Sequence, residues 1–146
     1  KSQDKQVVHK GTLMTKVIKF SSLAVLAVVL CGIYKTASIA MAASADYSRA
    51  DWLTFYLIAP SEVKHAPLIN DSTPIHFRAA DGASPQIDEI EYARDTDENI
   101  LSEYLRALGY RQEKDPVFGT RWSLQGTDKS AYIAATENSI RLTFTD

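Results

Sequence analysis

The feature that most constrains this chain lies near its start, where an apolar run from Phe20 to Tyr34 carries no charged side chain, follows Lys16 and Lys19, and leads into the small residues between Ala37 and Ala45. A basic flank, an apolar centre and a small-residue ending, in that order, are the marks of a secretory leader. Cleavage of such a leader requires small side chains at positions −3 and −1, which Ala40-Met41-Ala42 supplies and Ala43-Ser44-Ala45 supplies again. Residues 14–45 are therefore expected to be a signal peptide cut after Ala42 or Ala45. If they are not cut, residues 17–45 exceed the roughly 20 residues needed to cross a bilayer and would form a membrane anchor. Lys5, Lys10, Lys16 and Lys19 favour the cytoplasmic side, so both versions place the rest of the chain outside a bacterial-type cytoplasm. The expected location is periplasmic or secreted, with an inner-membrane-anchored protein as the alternative. A lipoprotein reading of Val28-Val29-Leu30-Cys31 ranks below these, because Leu30 stands where a lipobox has Gly, Ala or Ser. Residues 1–13 have no periodic apolar pattern and are expected to be a disordered extension.

Charge separates the leader from the rest of the chain. Residues 1–45 hold six lysines against Asp4 alone, a net charge of +5, whereas residues 46–146 hold ten basic side chains against seventeen acidic ones, a net charge of −7. A domain of that sign repels phosphate backbones and excludes nucleic acid as an expected partner, while a basic protein surface would be steered toward it. The sole cysteine, Cys31, falls in the apolar run. Residues 46–146 therefore contain no internal disulfide and must be stable through packing. They are expected to form a single α+β domain.

Within that domain, Ser48-Arg49-Ala50-Asp51 reads as a capping box ahead of Trp52–Ile58, whose aromatic and branched side chains suit a helix or a strand equally. Pro60, Pro67, Asn70 and Asp71 indicate a loop with a turn of helix at Ser61–His65. Residues 75–79 and 86–93 read as strands, the second with Ile90 and Tyr92 on one face. The helix signal is clearest from Thr96 to Leu108, where Ile100, Leu101, Tyr104, Leu105 and Leu108 make one stripe, acidic residues occupy the first turn and Gly109 follows. Four short strand patterns come next, at 110–113, 121–124, 131–136 and 140–144. Their short connections predict a four-stranded antiparallel meander with the amphipathic helix packed on one face, and Trp122, Ile133, Leu142 and Phe144 as core partners.

Chemistry-bearing motifs are sparse. His65 and His76 sit in no metal-binding frame, and two histidines without cysteine cannot close a structural zinc site. No serine lies in a nucleophile elbow, the glycines are scattered singly, and no metal or cofactor is implied. Asp88, Glu89 and Glu91, followed by Asp95, Asp97 and Glu98, lack the glycine and oxygen-ligand offsets of a calcium loop, and no sugar cleft is implied to make them glycosidase acids. Read together, these six residues are the candidate docking patch for a basic protein partner. Their ordinary role would be a solvated strand edge and a charged helix N-terminus.

The segments Leu108-Gly109-Tyr110, Asp115 to Trp122 and Leu142 to Asp146 resemble the C-terminal part of the small outer-membrane-assembly lipoproteins of the BamE/SmpA type, with Tyr110 where that family has proline. The resemblance implies a related fold and an envelope compartment, while a helix-to-hairpin join accounts for the same residues. The function these observations favour is a non-enzymatic exported protein-binding module, either an immunity or inhibitor protein or an envelope accessory protein. The alternative is a small secreted or periplasmic enzyme or ligand binder, its site built from His76 and carboxylates among Asp88–Glu91 on neighbouring strands. That alternative predicts a concave pocket holding His76 with at least one of those acids in perturbed titration.

Overall fold

The computed structural model describes residues 23–115 and 119–146. The expected extension at 1–13, the basic flank at 14–19 and the turn at Pro116 lie outside the described residues. The chain divides into two units, Lys1–Ser38 and Ile39–Asp146.

Helix α1, Leu23–Ala40, has a mean hydropathy of 2.0. At 1.5 Å per residue it is about 27 Å long, close to the thickness of a bilayer's hydrocarbon core. Its aliphatic hydroxyls are satisfied internally: Thr36 Oγ1 donates to the Gly32 carbonyl at 2.8 Å and Ser38 Oγ to the Tyr34 carbonyl at 2.9 Å. This back-bonding lets a polar side chain lie in an apolar medium without losing a partner. The chain thus carries an N-terminal apolar helix with the length and composition of a signal sequence or membrane anchor.

The second unit is α+β. Its elements in chain order are β1 (Ser44–Tyr47), α2 (Trp52–Ile58), α3 (Ser61–Lys64), β2 (Ile75–Arg78), β3 (Ile87–Ala93), α4 (Glu98–Ala107), β4 (Tyr110–Asp115), β5 (Gly119–Leu124), β6 (Ser130–Ala135) and β7 (Ser139–Thr145). The strands form one antiparallel sheet in the order β1-β2-β3-β7-β6-β5-β4. The expected meander is present as β4 to β7, but the sheet has seven strands rather than four. The difference arises because β7 offers a second free edge, and β3 pairs along it over seven residues from Ile87↔Thr145 to Ala93↔Ser139. β2 and β1 then extend that side.

Period-two alternation sorts the strand residues onto two faces. On one face, Ile90 and Tyr92 of β3, Ile140, Leu142 and Phe144 of β7, Ala131 of β6 and Trp122 of β5 are buried, and helix residues Phe55, Val63, Leu101 and Leu105 complete the same core. Ile133 packs at its margin. Arg106 of α4 stacks over the Trp122 ring at 5.5 Å, so its aliphatic stem covers apolar surface while its charge keeps a favourable π contact.

Local chemistry explains the helices. Asp97 caps α4 by accepting from the Asn99 N–H at 2.9 Å, and Gly109, at φ +91°, takes the left-handed conformation that stops it. A side chain at Gly109 would also meet Leu124 Cδ1 at 3.4 Å. The stripe is narrower than expected, since Leu101 and Leu105 are fully buried but Ile100 is exposed at its edge. Residues 52–58 resolve as helix. Asp51 is the N-cap residue, its carboxylate accepting from the Ser48 N–H at 3.3 Å, so only the reach-back half of the expected capping box forms.

Candidate functional site

The alternation that builds the core also divides the acidic patch read from the sequence. Asp88 points to the helix-covered face and is 3% exposed, whereas Glu89 and Glu91 point to the opposite face. Asp95 follows β3 in a turn, Asp97 is occupied as the α4 cap and Glu98 lies in the first turn of that helix. The six residues therefore do not form one surface. Glu89 and Glu91 remain together, with new neighbours.

The face opposite the helices is polar from β1 to β7. Asp46 lies directly across from His76, and His76 across from Glu89. His76 Nδ1 approaches Asp46 Oδ1 at 2.7 Å and its Nε2 approaches Glu91 Oε2 at 3.5 Å. With a carboxylate at each ring nitrogen, the imidazole is most favourable when both nitrogens carry hydrogen. The hydrogen bond to Asp46 above all, opposed by partial burial, raises the His76 pKa above its ordinary value. Glu91 is held below the usual carboxylate range, by the Ser139 hydroxyl first and His76 after it. Next in the row, Glu89 meets Arg141 at 3.4 Å and accepts from the Thr143 hydroxyl at 3.2 Å. The result is a half-exposed network of alternating charge across four strands.

A second cluster lies on the covered side. Lys129 Nζ, from the β5–β6 turn, bonds Glu62 Oε1 of α3 at 2.9 Å and lies 3.4 Å from Asp146 Oδ2. Burial works to raise the Glu62 pKa, but hydrogen bonds from Lys129, its own backbone and Ser61 outweigh it and leave the group low. Tyr104 of α4 donates to the Glu62 carbonyl at 2.6 Å, so three elements meet at this residue. Beneath them Asp88 accepts from Gln86 Nε2 at 2.8 Å through one oxygen, while Oδ1 has no hydrogen-bond partner among the described residues. Burial raises the Asp88 pKa. The cleft here, lined by Glu62, Gln86, Asp88, Tyr110 and Lys129 among others, holds about 20 Å³, which is room for one water and not for an organic substrate.

A larger cleft of about 620 Å³ lies beside β1 and β2, lined by Ala43, Ser44, Arg78, Ala79, Ala80, Asp81 and Ser84. His76 lines neither cleft. The geometry places His76 beside Glu91 on an open sheet face, not in a concave pocket.

Sequence reasoning missed Asp46, Arg141, Glu62 and Lys129. The first had a usable signal, because Ser44-Ala45-Asp46-Tyr47 alternates polar and apolar in a strand pattern that the small-residue ending of the leader masks. The other three are brought together only by tertiary pairing.

Comparison with protein-family models, with curated proteins and with solved structures finds no match to this chain.

Proposed function

We propose that the Ile39–Asp146 unit is an exported, non-enzymatic protein-binding module of the immunity, inhibitor or envelope-accessory kind, and that it meets a basic partner through the open face of its sheet. The observation that carries this reading is the placement of Asp46, Glu89 and Glu91 on one broad, half-exposed surface with His76 and Arg141 interleaved. An exposed, ionised sheet face suits recognition of another folded surface, and its charge pattern fixes register while the domain's negative field speeds encounter. The unit would work in the periplasm or outside the cell, or tethered by α1 with its sheet outside the cytoplasm.

The test is co-purification from the native envelope, followed by measured association with the recovered partner. Glu89→Gln with Glu91→Gln should slow association by roughly tenfold and lessen its salt dependence, as expected for lost steering charge. Asp95→Asn, away from the face, should leave it unchanged. Equal association for both variants would defeat the assignment of the face. For the immunity version, a deletion strain that stays fully resistant to competition from sister cells would exclude it.

The second reading, an enzyme or ligand binder using His76, draws on the close carboxylates. A ring hydrogen-bonded to Asp46 at Nδ1, with a second carboxylate 3.5 Å from Nε2, has no lone pair aimed at open space when both nitrogens carry hydrogen, so the arrangement serves better as a cross-strand brace than as a general base. Any ligand whose NMR shifts all survive His76→Ala would remove this reading.

A further inference from the structure

The two small-residue sites at the end of the leader are equivalent as sequence, but the fold distinguishes them. Helix α1 ends at Ala40. Ala43, just ahead of β1, is already tied to the sheet's end, because its carbonyl accepts from the Ala79 N–H at 2.8 Å, and Ser44 through Tyr47 pair with Arg78 through Ile75. Ala45, across from Phe77, packs at the margin of the core.

A cut after Ala45 would remove half of β1, strip the Ala43–Ala79 hydrogen bond and uncover Phe77. It would also place the new α-ammonium group on Asp46, the residue whose carboxylate meets His76 Nδ1 at 2.7 Å. A cut after Ala42 removes none of these contacts, and it places the new ammonium on Ala43, which lines the same cleft as Asp81.

From this geometry we infer that the leader is cleaved between Ala42 and Ala43, making Ala43 the first residue of the mature, sheet-forming protein. Water adds across that peptide bond, leaving a carboxylate on Ala42 and an ammonium on Ala43, with a signal peptidase of the host envelope as the protease. The inference rests on the export reading and adds to it the position of the cut.

The test is to express the full chain with its own leader, separate cytosol from envelope and periplasm, and determine the N-terminal sequence and intact mass of each product. An exported product beginning at Ala43 is the expected result. Ala42→Arg, which spoils position −1 of the first site alone and lies outside the sheet, should abolish that product and leave the precursor to accumulate. An exported chain beginning at Asp46, or one still carrying α1, would overturn the assigned cut while leaving export standing. A full-length chain confined to the cytosol would overturn export itself.

Discussion

The two faces of the sheet carry the same motif in different surroundings. On each, one cation stands between two carboxylates: Lys129 between Glu62 and Asp146 on the helix side, His76 between Asp46 and Glu91 on the open side. The first links α3, the β5–β6 turn and the end of β7 beside the core, with the Glu62 side chain only 15% exposed. In the second, the Asp46 side chain is 85% exposed. An ion pair that closes a core has little freedom to change partners, whereas one in water contributes little to stability and can exchange its contacts for those of a docking protein. Exposure overlaps between the other members, with Asp146 at 61% and Glu91 at 29%, so the enclosure of Glu62 against the openness of Asp46 is what distinguishes the two triads.

The comparison can be broken in order of effect. Leu105→Ala, beneath both helix and sheet, should cost about 3 kcal/mol in chemical denaturation and disturb the covered face first. Lys129→Met removes the cation but keeps an apolar stem. It leaves Glu62 facing Asp88 and Asp146, and the expected loss is about 2 kcal/mol by the same measurement. An unchanged midpoint would mean that the covered triad is no more structural than the open one.

Asp88→Asn should act in the opposite direction. Burial raises the pKa of Asp88, so the folded state holds its proton more tightly than the unfolded state does. Its contribution therefore weakens as pH climbs from the unfolded carboxyl value, about 4, through the folded one, and at neutral pH it opposes folding. The asparagine variant should be about 1 kcal/mol more stable at pH 7 and show a flatter decline across that window in thermal melts.

The smallest effect belongs to His76. Its raised pKa makes the brace fully effective below the unfolded histidine value of about 6.5, and the contribution is lost as pH rises through the folded value. His76→Gln should abolish this slope while changing stability by under about 1 kcal/mol. NMR titration of the ring should place its midpoint above the ordinary value in the parent protein and return it toward that value in Asp46→Asn.

Much of the second unit is legible in the sequence because its signals are local. Asp97, the Leu101–Leu105 spacing and Gly109 define α4 locally, and the turns between β4 and β7 separate strands that pair with their chain neighbours. Pairing between distant residues leaves no such mark. Nothing local to Ile87–Ala93 indicates that its partner is Ser139–Thr145, so local signals leave three strands out of the sheet and group Asp88 with residues from which the pleat separates it. The candidate site shares that limit: Glu89 and Glu91 are visible as acids, but the face they share with Asp46 and Arg141 exists only once β1, β2, β3 and β7 lie side by side.

The position of β7 also sets an order for folding. It is the last of the seven strands in chain order, yet it joins the β1–β3 half to the β4–β6 half, with Ile90 paired to Leu142. A chain threaded through a membrane pore from its N-terminus cannot close this sheet until almost all of it has crossed. Contacts between residues so far apart form slowly, so a chain exported as proposed would still be extended while it crosses and would gain its rigidity on the far side.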